Sequence, residues 1–599
     1  MKITHFLFCM YVLHHTTCQQ GRLRFSQYLD RNGDVLLSWD LNSSTDEITI
    51  ELVVNTTGWI GFGLSKNGAM NGADIVIGGV KNNSTYFSDA HGIGQMQPEV
   101  DKIQNYNLLS LTEDNNSTCM RVRRKLQTCD SNDVDITADT IKVIYAFGSN
   151  DVVSYHGNRR GAKSVIFLQN QIQSLSSDNE TLFFDLKIQN FSVFPRETVY
   201  GCLFVDLLNV TQKHHIYKIE PIIQPGNEDV VHHLVLYGCS NASVTRKPQG
   251  DCTYSEYTSL ICAHVITAWA YGGEAFRFPE NTGISIGTNR DFKVAVLEVH
   301  YNNPHLKSGI KDSSGIRFYY TPELRKYDVG VLAVGPTVYP TFFIPPKMKS
   351  FKMYGICKTE KFVELNQNNV GDMIIFASLP HTHLTGRAVK CALYRNGSQI
   401  GFLSRDDNYD FSFQATRFFT PYVTLKMGDQ IVTECTYNTM DRKNVTFSGM
   451  GTMDEMCTGF FYYYPKNSVS SCNSFYDSDY IARAVGYNGT GLQSVYPWAN
   501  SVEWDEWKGN KVENATKEGI HSIFIIAENG VALDFGKVVQ IDDRIISTCK
   551  STSSDGATTE QSRTVSSPNY GIFWAPLFSL FNHLGISLVL SLVAIPQIF

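Results

Sequence analysis

Short runs of β-branched and aromatic residues, broken by Gly, Asn and Pro, recur along this chain and restrict it to a predominantly β architecture. Glu47-Ile48-Thr49-Ile50-Glu51-Leu52-Val53-Val54 and Asp34-Val35-Leu36-Leu37-Ser38-Trp39 read as strands. So do Val294-Ala295-Val296-Leu297-Glu298-Val299-His300-Tyr301 and Asp372-Met373-Ile374-Ile375-Phe376-Ala377. From residue 182 to residue 514 no helical pattern of convincing length appears. A chain of 599 residues is too long for one domain, and roughly three to five are expected. Hydrophobic content of 43% and aromatic content of 12% suffice to fill their cores. The economical reading is all-β, with antiparallel sandwiches in tandem.

Residues 22–169 form the first expected module, closed by a polar linker from Gln169 to Thr181. Its Gly58-to-Gly78 stretch, containing Gly58-Trp59-Ile60-Gly61-Phe62-Gly63-Leu64-Ser65 and Ala73-Asp74-Ile75-Val76-Ile77-Gly78, resembles the DOMON domain. That resemblance implies a β-sandwich of a kind that binds haem or sugars or serves as an interaction module. Met70 and His156 are the candidate axial ligands for a haem there. Residues 182–322 and 323–514 make the second and third modules.

Both ends of the chain carry an address. Lys2 followed by the apolar Phe6-to-Leu13 run, with small residues near Thr16 to Cys18, reads as a signal peptide over 1–18. Residues 515–570 are a C-terminal extension ending in a polar, Ser/Thr-rich stalk, and 571–599 are almost wholly apolar. This last segment suits a single membrane-spanning anchor. With small residues at Ser554-Asp555-Gly556-Ala557 it equally suits exchange for a GPI anchor. The expected location is the secretory pathway, on the lumenal or extracellular face, at the endoplasmic reticulum or cell surface. Glycosylation sequons begin at Asn55, Asn179, Asn241, Asn396, Asn444, Asn488 and Asn514. There are 14 Cys and no C-x-x-C, so disulfides rather than zinc ribbons are expected. The net charge of −7, with no long basic run, excludes nucleic acid as the natural partner. No heptad gives an oligomeric state.

Two histidine constellations carry the chemistry. His381-Thr382-His383 spaces two imidazoles at i and i+2, which share one face of a strand, and Gly386-Arg387 puts the pair near a strand end. A distant Met456, in Asp454-Glu455-Met456-Cys457, offers a soft thioether. Imidazole serves both copper oxidation states while thioether favours Cu(I), so the set suits cycling copper. His232-His233 and His300 form a second candidate site without Met. Adjacent strand residues face opposite sides, so a shared ion there demands a bulge or the use of different ring nitrogens. Glu298, two residues before His300, is the expected partner of the outer His300 nitrogen. By spacing alone His264 and His305 remain alternative ligands.

Four motifs in order are similar to one family. His232-His233-Leu234-Val235-Leu236-Tyr237-Gly238-Cys239, Glu298-Val299-His300-Tyr301-Asn302-Asn303-Pro304, His381-Thr382-His383-Leu384-Thr385-Gly386-Arg387 and Asp454-Glu455-Met456-Cys457 resemble the copper type II, ascorbate-dependent monooxygenases. Within that family the chain looks most like the dopamine β-hydroxylase-related, DBH-like branch. The resemblance implies a DOMON sandwich followed by two jelly-roll-like sandwiches with one copper each, facing across a solvent-filled cleft. It implies that His232, His233 and His300 hold an electron-storing copper. It implies that His381, His383 and Met456 hold the copper that meets O2 and substrate, with ascorbate as electron donor. Each turnover would place one oxygen atom of O2 in a C–H bond and reduce the other to water. It also implies the disulfides Cys202–Cys252, Cys239–Cys262, Cys357–Cys472 and Cys435–Cys457, each typically worth about 2–4 kcal/mol. Cys119, Cys129, Cys391 and Cys549 stay unassigned.

The chain departs from the family in its substrate-contacting positions. Where the peptide-amidating branch has an Arg two residues before the His-x-His pair, this chain has Leu379, which disfavours a peptide carboxylate. Four residues past Met456, where relatives carry Tyr, stands Phe460, a candidate wall of the substrate pocket that lacks the phenol. The expected substrate is small and hydrophobic or aromatic, of phenethylamine type. Two other readings stand beside this one: a non-catalytic, membrane-anchored DOMON-containing binding glycoprotein, and a haem-linked electron carrier. All six ligand positions are filled, which favours the enzyme.

Overall fold

A computed structural model of the chain describes residues 21–168 and 182–543, except 209, 254–259, 263, 339–341, 367–370 and 529. The expected signal segment, the linker with Asn179, Cys549, the stalk and the apolar segment 571–599 lie outside the described residues. Among the described residues, no helix is long and apolar enough to cross a membrane.

Period-two alternation builds the first module. In Glu47–Val54 it sends Ile48, Ile50, Leu52 and Val54 into one core. That core separates a five-stranded antiparallel sheet, with Glu47–Val54 at its centre, from a six-stranded one. The six-stranded sheet contains Ile60–Ser65, Asp74–Lys81, Ile141–Phe147 and Arg160–Val165. Gly63 is required in it, because a Cβ there would sit 2.9 Å from the Asp74 carbonyl and 2.9 Å from an Ile75 side-chain carbon.

The second module sets one sheet of Gly250–Asp251, Thr198–Asp206, Val294–Asn302, Val231–Gly238 and His264–Ala270, in that spatial order, against a second sheet centred on His214–Ile222 and Gly315–Thr321. The third sets a seven-stranded sheet, including Met373–His381, Thr458–Tyr464 and Arg417–Leu425, against a four-stranded one of Phe351–Lys358, Gln430–Tyr437, Gly386–Arg395 and Ser398–Asp406. The chain crosses between them at Val329. Tyr327–Asp328 still pairs with Thr282 and Gly283 of the second module, and Gly330–Pro336 already lies in the seven-stranded sheet. Phe276 of the second module stacks near Tyr462 and Phe418 of the third at 4.8 and 5.0 Å, so one apolar core spans both.

Three helices longer than a single turn correct the expectation that no helix of convincing length lies in the third module: Ser478–Arg483, Leu492–Ser501 and Glu506–Glu518. Their apolar stripes are thin, which hid the period. Glu506–Glu518 buries only Gly509, Val512, Ala515 and Thr516, while local chemistry fixes its start: the Asp505 side chain accepts from Lys508 N at 2.8 Å. This helix runs through residue 514, and His521–Ala527 and Gly530–Gly536 extend the seven-stranded sheet. The third module therefore reaches at least Gly536 instead of ending at 514.

Disulfides join Cys202 to Cys252, Cys239 to Cys262, Cys357 to Cys472 and Cys435 to Cys457. Cys119 and Cys129 are also disulfide-bonded, and Cys391 is a buried free thiol.

Candidate metal centre

The adjacent pair His232-His233 reaches one point because the strand is bulged there. Along Val231–Gly238 the register with Val294–Asn302 slips between Val231 and His233, and His233 then lies directly opposite His300. The Nδ1 atoms of His232 and His300 each lie 3.2 Å from His233 Nδ1. Two of the outer nitrogens are occupied. His232 Nε2 donates to the Phe411 carbonyl at 3.1 Å, and His300 Nε2 meets Thr452 Oγ1 at 3.0 Å. A carbonyl only accepts, so the His232 proton is on Nε2 and its Nδ1 presents a lone pair inward. His233 can donate one Nδ1 proton to at most one of its two neighbours, so hydrogen bonds alone leave this cluster mismatched. A cation accepting all three lone pairs resolves it. Tyr200 stacks on the His300 ring at 4.6 Å and fixes its plane.

The second cluster hangs on the end of Met373–His381. His381 is its last residue and His383 lies in the turn beyond, with ring centroids 5.3 Å apart. His381 Nδ1 lies 2.7 Å from Gln414 Oε1, whose own Nε2 donates to the Phe411 carbonyl at 3.0 Å. His383 Nδ1 donates to the Asp454 carbonyl at 3.1 Å. Both rings are thus left with Nε2 as the free nitrogen, and His383 Nε2 is a buried atom with no hydrogen-bond partner. Glu455 accepts the backbone N–H of His383 at 2.9 Å and that of Thr385 at 2.6 Å, tying the His-x-His turn to the segment carrying Met456. Met456 is buried, its carbonyl accepts from Tyr437 Oη at 2.7 Å, and the next residue is held by the Cys457–Cys435 bridge.

Burial, reinforced by the neighbouring imidazoles, pushes His232 down to about 3 and His233, His300 and His383 well below the usual imidazole range. Burial lowers His381 as well, against the Gln414 hydrogen bond. Five neutral imidazoles with directed lone pairs are the protonation state a soft or borderline metal requires. The donor types therefore fit copper, three convergent imidazoles in one case and, in the other, two imidazoles tied through Glu455 to the segment that carries the Met456 thioether.

Two expectations are corrected. The clusters do not face each other across a solvent-filled cleft. His233 and His381 are only 5.5 Å apart, and Phe411 fills the gap, stacked on His232 at 4.1 Å and edge-on to His383 at 6.4 Å. Glu298 does not hold His300. Strand residues at i and i−2 stand about 6.6 Å apart, so the carboxyl meets Tyr237 Oη at 3.5 Å, and Thr452 from the third module takes the His300 nitrogen. Burial pushes Glu298 up to about 7.

The remaining candidates scatter. His264 stacks on Phe292 at 5.5 Å and His305 is exposed, and the trio near Val231–Gly238 contains neither. Leu379 is buried, and Phe460 stands 6.5 Å from the His381 ring. Phe461, Tyr462 and Tyr463 of the aromatic run are core. The Met70 carbonyl closes a turn onto Ala73, and His156 lies beside Tyr155 at 5.3 Å. Asn55, Asn241, Asn396, Asn444, Asn488 and Asn514 are exposed. Gln414, Phe411, Thr452 and Tyr200 escaped the sequence reading, since no pattern marks a loop glutamine or threonine. Glu455 was visible beside Met456, but its two backbone partners were not.

Comparison with known proteins accords with this geometry. The family model for the copper type II ascorbate-dependent monooxygenase N-terminal domain matches residues 184–308, that for the C-terminal domain 327–485, and that for the DOMON domain 31–148. "DBH-like monooxygenase protein 2" of Mus musculus is 42% identical, across 84% of this chain and 82% of its own. "DBH-like monooxygenase protein 1" of Homo sapiens is 38% identical, across 75% of this chain and 74% of its own. "Dopamine beta-hydroxylase" of Canis lupus familiaris is 34% identical, across 76% and 74%. With both catalytic-domain models matched in order behind a DOMON domain, the chain belongs to the copper type II ascorbate-dependent monooxygenase family.

Proposed function

We propose that this chain is an active monooxygenase that hydroxylates a C–H bond of a small hydrophobic or aromatic substrate of phenethylamine type. In this reading His232, His233 and His300 hold one copper through Nδ1. His381 and His383 hold a second through Nε2, with Met456 as third ligand. Bound copper would supply one-electron steps from ascorbate and the activation of O2.

The observation that carries the reading is the convergence of three Nδ1 atoms, with the outer nitrogens of His232 and His300 engaged elsewhere. The chain's own groups do the rest. The Phe411 carbonyl, Thr452 and Gln414 leave a defined nitrogen free on His232, His300 and His381, and the Asp454 carbonyl does so on His383. Phe411 and Phe460 exclude water around His232 and His381. Beside Gln414 a pocket opens, lined by Thr267, Trp269, Glu274, Phe276, Arg277 and Phe418. Its aromatic walls suit an aromatic substrate, and Glu274 and Arg277 give it one charge of each sign. Leu379 offers no cation for a peptide carboxylate. The reading includes entry to the secretory pathway, glycosylation at the exposed sequons, and anchoring through the apolar C-terminal segment.

The test is copper stoichiometry of the purified lumenal portion, beside ascorbate-driven O2 uptake with a panel of arylethylamines. Two coppers per chain, weaker Cu(I) retention in Met456→Ala and substrate-dependent uptake are expected. Two coppers without uptake would leave a non-catalytic binding glycoprotein, and one or none would overturn both sites.

A further inference from the structure

The loop 407–416 joins Ser398–Asp406 of the four-stranded sheet to Arg417–Leu425 of the seven-stranded sheet, and it touches all three modules. Its inner side reaches both histidine clusters. Phe411 stacks on His232 and accepts its Nε2 proton, Gln414 accepts from His381, and Tyr409 Oη bonds the Thr382 backbone at both N and O, at 3.0 and 2.9 Å. Gln414 N also donates to the Tyr271 carbonyl of the second module at 2.9 Å.

The outer side of the loop is gripped by the first module. At its base, Asp406 and Arg417 form a buried ion pair into which Thr140 is wedged. Thr140 N and Oγ1 donate to Asp406 at 3.0 and 2.7 Å, and Arg417 donates to Thr140 Oγ1 at 2.9 Å and to the Ala138 carbonyl at 3.0 Å. Asp407 N donates to Asp139 Oδ1 at 2.9 Å. At its tip, Asp410, the residue before Phe411, is paired with Lys142 and accepts from Ser164 Oγ at 2.6 Å. Lys142 and Ser164 sit opposite each other on neighbouring strands of the six-stranded sheet.

We propose that the first module is a clamp for the catalytic modules. By holding Asp406 and Asp410 it positions Phe411 and Gln414, and so fixes the free nitrogens of His232 and His381. The loop has no helix or strand of its own, and ordering it costs about 1–2 kcal/mol per residue in backbone entropy, offset in part by burial of Tyr409 and Phe411. The hydrogen bonds from the first module offset part of the rest. Lys142, Asp410, Thr140 and Asp406 are positioning residues here. The consequence for copper rests on the function proposed above, but the clamp itself is a property of the chain without metal.

The test uses the full chain in its copper-free form, comparing wild type with Lys142→Met, Asp410→Asn and the conservative Lys142→Arg. Hydrogen exchange is read across 407–416. Carbethoxylation by diethylpyrocarbonate is read at His232, His381 and, as control, the buried His215, which bonds Asp328 in the second module. Release of the clamp should speed exchange of 407–416 roughly tenfold and expose His232 and His381 to the reagent, with His215 unchanged and Lys142→Arg close to wild type. Unchanged exchange and unchanged His232 and His381 reactivity in both disruptive variants would overturn the proposal. An equal rise at His215 would also overturn it, by marking general loosening. Copper loading of the same proteins is a separate arm. Failure of the wild type to bind copper would sink the function proposed above while leaving the clamp readouts intact.

Discussion

Gln414 Oε1 lies 2.7 Å from His381 Nδ1 while Gln414 Nε2 donates to the same Phe411 carbonyl that receives His232 Nε2. One amide side chain therefore couples the two histidine clusters, which come from different modules. Its orientation is dictated, since a carbonyl partner on one side forces the oxygen towards the imidazole N–H on the other. Gln414→Leu keeps the volume and removes both bonds. Loss of such an outer partner typically lowers metal affinity 10–100-fold, and the loss is expected at the His381–His383–Met456 site with the trio largely retained. Thr452→Val should reverse the selectivity, weakening the site of His300. Copper titration followed by the two Cu(II) electron paramagnetic resonance signals checks both, and equal losses at both sites in either variant would refute the assignment.

Glu455 makes a second argument of the same kind. It is fully buried, and it accepts from His383 N, Thr385 N and Thr385 Oγ1. Truncation to Ala leaves two buried backbone donors without partners, at about 1–3 kcal/mol each. Chemical denaturation should register a loss of roughly 2–5 kcal/mol for Glu455→Ala. A loss below 1 kcal/mol would mean that water replaces the carboxylate.

The first module predicts a pH dependence. Burial pushes Asp89 up to about 6 even though the backbone N–H groups of Asn105 and Tyr106 favour its charged form, and Asp133 adds repulsion. A carboxyl raised in the folded state contributes its stability below the unfolded value near 4 and loses it as pH climbs through about 6. At about 1.4 kcal/mol per unit, the wild type should lose at most about 3 kcal/mol across that window relative to Asp89→Asn, which keeps an acceptor without the charge. Thermal melts of both proteins from pH 4 to 7 give the difference. A flat difference would place the titration elsewhere.

Much of this architecture was legible because its causes are local. Alternation in Glu47–Val54 and the continuous, β-branched-rich apolar run of Val294–Asn302 specify strands, and ligand chemistry singles out the histidines and Met456. The parity of a strand already demanded either a bulge or different ring nitrogens at His232-His233, and the structure contains the bulge. What escaped was set by tertiary contact. Gln414 and Phe411 matter only because a loop from the third module is folded back over the second. Thr452 outcompetes Glu298 for His300 because it approaches from another module, a fact no spacing within Glu298-Val299-His300 encodes. The helix Glu506–Glu518 has a readable cap at Asp505, but its stripe of one Val, one Ala, one Gly and one Thr is too weak to announce a period.

The pocket beside Gln414 gives the sharpest test of substrate class. Trp269, Phe276 and Phe418 supply aromatic surface, and Glu274 and Arg277 add one charge of each sign to its lining. An arylethylamine would set its ring against the aromatic walls and its ammonium towards Glu274, an attraction that a neutral analogue lacks. Glu274→Gln keeps the shape and removes the charge. It should raise KM for amine substrates roughly tenfold, about 1.4 kcal/mol, with little change in kcat, because the contact is made equally in ground and transition states. A neutral phenylethyl analogue should be processed alike by both proteins. A fall in kcat at unchanged KM would instead place Glu274 in the chemistry at His381, and no effect on amines would remove the cationic substrate from the proposal.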